Sequence, residues 1–164
     1  MKYAIIGHSE RRARGDTDAI VSEKVRNAFA NKIIPIVCIG ESERDPDAQY
    51  LGFLREQMRT VFQPLDTKDR QKVILAYEPI WAIGKTAADA LRPDDLNEMV
   101  LYIRKILTEY MSGSAAENLK IIYGGSVEAG NIVSLAEDTG VDGFLPGHAS
   151  ADPATFTALI KALS

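Results

Sequence analysis

The sequence predicts an α/β fold of about five parallel βα units, and three observations carry that expectation. Runs such as Ile33-Ile34-Pro35-Ile36-Val37-Cys38-Ile39 and Val73-Ile74-Leu75-Ala76 are continuously apolar. Strands covered on both faces need that pattern, whereas half-exposed strands alternate. Between these runs lie apolar stripes at helical spacing. The strand-like runs also end in glycine or in an isolated polar side chain, the composition of loops that carry chemistry.

Strands are expected at Tyr3 to His8, Ile33 to Gly40, Val73 to Glu78, Leu119 to Gly125 and Gly143 to Gly147. A helix after the first is marked by Val21, Val25, Ala28 and Phe29. The polar stretch Glu41 to Gln49 reads as a βα loop. Leu96, Met99, Val100, Ile103, Ile106, Leu107 and Tyr110 form a longer stripe between charged positions. Asp152-Pro153 ahead of Phe156, Leu159 and Ile160 pairs a capping residue with proline at the first helical position, so a last helix starts there and is expected to cover the sheet. No repeat, low-complexity tract or domain-separating linker interrupts residues 1–164, which read as a single domain.

Composition narrows the function classes. Apolar residues at 46% and charged residues at 26% are ordinary for a globular enzyme domain. The net charge of −4 argues against a nucleic-acid surface, which depends on clustered Lys and Arg. No apolar stretch approaches the ~20 residues that span a bilayer, and no leader pattern opens the chain, so a cytoplasmic protein without membrane partners is expected. The single cysteine, Cys38, lies within a strand and reads as a small buried hydrophobe.

Glu78 is the most informative residue. It stands at the end of the run L-A-Y-E-P-I-W-A-I-G, from Leu75 to Gly84, where an apolar strand has no use for a charge unless its tip is a site. Pro79 restricts Glu78 to an extended backbone. Held against apolar neighbours such as Ile80 and Trp81, its carboxyl would titrate higher than usual and suit a general base. Tyr3 to Arg12, Y-A-I-I-G-H-S-E-R-R, delivers His8, Ser9 and Glu10 after Gly7 in the same way. Lys120 to Val127, K-I-I-Y-G-G-S-V, ends in two glycines and a hydroxyl suited to close backbone approach to an anion. Singly, each feature has an ordinary reading: a structural histidine, a strand-end charge, a turn.

Together, I-I-G-H-S-E-R-R, A-Y-E-P-I-W-A-I-G and I-I-Y-G-G-S-V resemble the triosephosphate isomerase family in order and rough spacing across essentially the whole chain. The resemblance implies a (βα)8 barrel, for which about 250 residues is typical. With 164 residues, this chain resembles the last five units of that barrel, a partial barrel without the first three. The family's asparagine and lysine pair on its first strand has no counterpart before Tyr3.

The resemblance further implies interconversion of dihydroxyacetone phosphate and glyceraldehyde 3-phosphate in glycolysis and gluconeogenesis, with neither cofactor nor metal ion. His8 would be the electrophile, Glu78 the base and Glu10 a supporting carboxylate, an assignment carried over from the family. Gly84, Ser126, Gly147 and His148 stand where the family binds phosphate. Two departures are visible. Gly147-His148 replaces a glycine pair, so the histidine side chain must point away from the ligand. The loop A-I-G-K-T-A-A-D-A-L-R-P lacks the family's second Thr-Gly and reaches its proline later.

Arg11 and Arg12 read as salt-bridge and solvated residues, and Tyr123 as a packing residue or lid partner. Five strands cannot close a barrel, so two unpaired edges should drive self-association or recruit a complementing fragment with the missing units. Three functions follow as alternatives: an isomerase impaired as an isolated chain, a half-barrel dependent on complementation, and a non-catalytic scaffold that retains phosphate binding.

Overall fold

The computed structural model describes residues 1–83 and 91–164. Five parallel strands form one sheet in the order β1-β2-β3-β4-β5, with β1 Tyr3–Ile6, β2 Ile34–Ile39, β3 Ile74–Tyr77, β4 Ile121–Tyr123 and β5 Gly143–Phe144. The α/β expectation is borne out, and every strand falls inside its predicted run. Each is shorter than predicted, three of them for a local reason. Gly7, at φ +77°, turns the chain out of β1, and Glu78-Pro79 closes β3. Pro146 has no N–H with which to continue β5.

Helices fill the crossovers: α1 Ser9–Ala13, α2 Asp18–Ala30, α3 Gln49–Phe62, α4 Thr67–Arg70, α5 Pro93–Leu107, α6 Gly113–Asn118, α7 Ile132–Asp138 and α8 Pro153–Ala162. The stripes read from the sequence face the core in α2 and α5. Helix α3 was not singled out there, although Leu54, Met58, Val61 and Phe62 give it a buried side. Arg70 holds its carboxyl end by donating to the carbonyls of Phe62 and Gln63. The core runs from Val21 and Val25 through Val37, Leu75 and Ile121 to Ile103 and Leu107.

Helix α8 corrects one expectation. Asp152 caps it as predicted, accepting from the Thr155 N–H at 2.7 Å, but the helix packs on α7 and the turn at His148–Ser150. Of its large apolar residues only Leu159 is buried, while Phe156 and Ile160 remain exposed, Ile160 at 54%, as does Leu163 just after the helix. The opposite edge is equally open: Tyr3 is 44% and Ile5 52% exposed on β1.

The register aligns the carboxyl ends. Ile6 pairs with Val37, Ile39 with Tyr77, and Tyr77 with Tyr123. The loops carrying His8, Glu41, Glu78, Ser126 and Gly147 therefore leave one rim of the sheet.

Candidate active site

Glu78 and His8 meet at that rim although β2 lies between their strands. His8 Nε2 is 2.8 Å from Glu78 Oε1, and the Ser9 N–H donates to Glu78 Oε2 at 3.0 Å. Gly40, at the end of β2, makes the crossing possible. A Cβ there would stand 1.9 Å from the Glu78 carbonyl oxygen, so only glycine lets β3 run so close. On the other side Gly124 packs against Glu78, 3.5 Å from its Cβ and Cγ to where a Cβ would stand.

His8 caps α1, its Nδ1 accepting the Glu10 N–H at 3.4 Å. With Nδ1 turned to that N–H as acceptor, Nε2 is the ring nitrogen that faces Glu78 as a donor. Glu78 is 4% exposed, and burial pushes its carboxyl above the ordinary value against the opposing Ser9 N–H, the adjacent His8 ring and the Arg12 charge. The direction matches the sequence expectation, but the neighbours differ: Ile80 is exposed and Trp81 turns its indole N–H to Glu41 at 2.8 Å.

Glu10 is exposed, with its N–H rather than its carboxylate engaged at His8. Ser126 is half-buried and donates its hydroxyl to the Ala82 carbonyl at 2.9 Å, which ties the β4 loop to the start of the loop after β3. Gly147 is exposed with open space where a Cβ would stand, and His148 is exposed in the turn that follows. Gly84 lies outside the described residues. Cys38 is buried as expected, its thiol pushed up by burial and then by the Glu78 charge. Tyr123 is a packing residue; burial first pushes its hydroxyl up to about 12.

A second group escaped the sequence reading. Glu41, 1% exposed, accepts from the Tyr77 hydroxyl at 2.9 Å, from Trp81 Nε1, and from Arg44 Nε at 3.3 Å. The available signal was the run C-I-G-E, an apolar strand ending in glycine and a carboxylate like the other motifs. The adjoining cavity of about 300 Å³ is lined by Glu41, Glu43, Asp45 and Phe53, an acidic lining that disfavours an anion.

Residues 1–163 match the family model for triosephosphate isomerase. Among curated relatives, the triosephosphate isomerase of Moorella thermoacetica is 42% identical over 164 residues, covering 98% of this chain and 64% of the relative. The enzymes of that name from Endomicrobium trichonymphae and Orientia tsutsugamushi (strain Ikeda) are 41% and 42% identical, covering 97% and 98% of this chain and 63% of each relative. The chain thus spans just under two thirds of the length of these relatives, and with its motifs and its five parallel strands it belongs to the triosephosphate isomerase family.

Proposed function

We propose that this chain carries the catalytic half of a triose-phosphate isomerase, interconverting dihydroxyacetone phosphate and D-glyceraldehyde 3-phosphate. The observation that carries the proposal is the His8–Glu78 contact at 2.8 Å around a buried carboxylate of raised pKa. Glu78 would take a proton from the hydroxyl-bearing carbon and return it to the former carbonyl carbon, while the hydroxyl proton passes to the former carbonyl oxygen. The Nε2–H of neutral His8 would hydrogen-bond the oxygen on which enediolate charge develops. Substrate must first separate the pair, because both Glu78 oxygens are engaged by His8 and Ser9.

In this reading the phosphate lies at the Ser126 and Gly147-His148 backbone with Gly84, and Glu10 supports the histidine from the rim. Amides at the ends of β4 and β5 suit an anion. Residues 1–164 act as one partial-barrel domain in the cytoplasm, with no cofactor or metal ion.

A second reading, dependence on a complementing chain, is favoured by the exposed β1 edge and the bare apolar side of α8. A partner supplying further βα units would cover both.

A coupled assay on the purified chain, with and without the first three βα units of a relative, tests both readings. Turnover of the isolated chain is expected to fall orders of magnitude below a complete enzyme. One missing electrostatic donor typically costs ~10² to 10³ in turnover. Undetectable turnover that returns on adding the units supports complementation; turnover in neither condition, or turnover insensitive to Glu78→Gln, refutes the isomerase proposal.

A further inference from the structure

We propose that Arg12 is the positioning residue of the His8–Glu78 pair, tying the ends of β1 and β2 together so that His8 reaches across to β3. The inference deepens the isomerase reading of this site and rests on it. Arg12 lies in α1 and forms the ion pair expected of it, with Asp18, but its side chain is only 15% exposed rather than solvated. Its guanidinium makes three contacts in different directions. Nε donates to the Gly7 carbonyl at 2.7 Å, Nη2 to the Cys38 carbonyl at 3.2 Å, and Nη1 to Asp18 Oδ1 at 2.6 Å. One planar fork therefore joins the turn before His8, the end of β2 and the first residue of α2.

Gly7 shows how closely the fork is built in. Its φ of +77° disfavours any side chain, and a Cβ there would stand 3.2 Å from Arg12 Nη2, 3.2 Å from the Cys38 carbonyl oxygen and 3.1 Å from Val21 Cγ2. The guanidinium occupies the space beside a glycine that turns the chain directly into His8. Arg12 also faces Glu78 electrostatically, its positive charge favouring the ionised carboxylate. Of the groups facing Glu78, His8 comes from the β1 loop, Arg12 from α1 and Cys38 from β2.

The fork and the charge make separable contributions. Lysine at position 12 keeps the charge, but a single ammonium lacks the planar donors that hold two carbonyls and a carboxylate at fixed angles. Arg12→Lys should therefore loosen His8 while largely preserving the influence on Glu78. Arg12→Gln should remove both.

Nitrogen-15 spectroscopy of the imidazoles in the full chain reads the fork directly, and His148, the only other histidine, serves as an exposed internal reference. The parent should show a His8 Nε2–H signal shifted by its hydrogen bond to Glu78. Arg12→Gln and Arg12→Lys should both lose that shift while far-UV circular dichroism stays at the parent value, and the Glu78 titration should move upward in Arg12→Gln alone. Asp18→Asn frees one end of the fork and should weaken the His8 signal, which decides the matter if Arg12→Gln fails to fold. An unchanged His8 signal in folded Arg12→Gln or in Asp18→Asn overturns the proposal, as does full restoration by lysine. None of these readouts uses substrate, so absence of turnover in the parent counts against the isomerase reading alone.

Discussion

Tyr77 and Tyr123 are paired in register on β3 and β4, are both fully buried, and should respond to loss of their hydroxyls in opposite directions. The Tyr77 hydroxyl donates to the buried Glu41 carboxylate at 2.9 Å and accepts from Arg44 Nη2 at 3.3 Å. Tyr77→Phe keeps the ring, so no cavity opens, and the loss is that of a hydrogen bond to a charged group, about 1.5 to 3 kcal/mol. The Tyr123 hydroxyl is the buried side-chain polar atom without a hydrogen-bond partner among the described residues. Its burial costs roughly 1 to 3 kcal/mol, which Tyr123→Phe removes, so that variant should match or exceed the parent. For a chain of this size 1 kcal/mol moves the midpoint by ~2 to 4 °C, which puts the Tm of Tyr77→Phe about 3 to 12 °C lower. Urea unfolding at pH 7, followed by far-UV circular dichroism because Trp81 touches Glu41, gives both values. A loss below about 0.5 kcal/mol for Tyr77→Phe, the range of an ordinary surface substitution, would refute the reasoning. So would an equal loss in both variants.

Four further outcomes are expected. Gly40→Ala places a methyl 1.9 Å from the Glu78 carbonyl oxygen, a backbone atom that cannot swing aside, and should destabilise by about 1 to 3 kcal/mol or more; parent-like unfolding would show that β2 and β3 are not held so close. Because Glu78 must be ionised to act as a base and its folded pKa lies above the ordinary 4.5, kcat/KM should fall with decreasing pH on a limb above that value. The same raised pKa makes ionisation oppose folding at pH above it and not below the unfolded value, so Glu78→Gln should gain stability at pH 7 relative to pH 4, and equal effects at both would contradict the burial argument. The open β1 edge and the bare side of α8 should drive association, so sedimentation showing only monomer at tens of micromolar, roughly the range in which such surfaces associate, would count against those edges being sticky.

The strands, the α2 and α5 packing faces and the Asp152 cap were determined by the sequence alone, because each rests on neighbours within a few positions. The short, β-branched apolar run at Ile34–Ile39 suits a covered strand, and Pro79 restricts Glu78 whatever surrounds it. His8, Glu78 and Ser126 were legible for the same reason, each sitting in an unbroken motif at a strand end. Tertiary structure decided the rest. Two of the partners of Glu41 lie 36 and 40 residues away at Tyr77 and Trp81, and the Cys38 carbonyl is 26 residues from Arg12. Only the parallel register brings them within hydrogen-bonding distance. The exposure on α8 was equally illegible, since Phe156 and Ile160 carry the pattern of a buried face yet remain exposed in a helix that packs on α7 and the turn at His148–Ser150. Local pattern specifies which groups stand at the rim of the sheet. Register and packing between distant segments specify which of them touch, and thus which carboxylate is buried beside a histidine and which is bound into the supporting network.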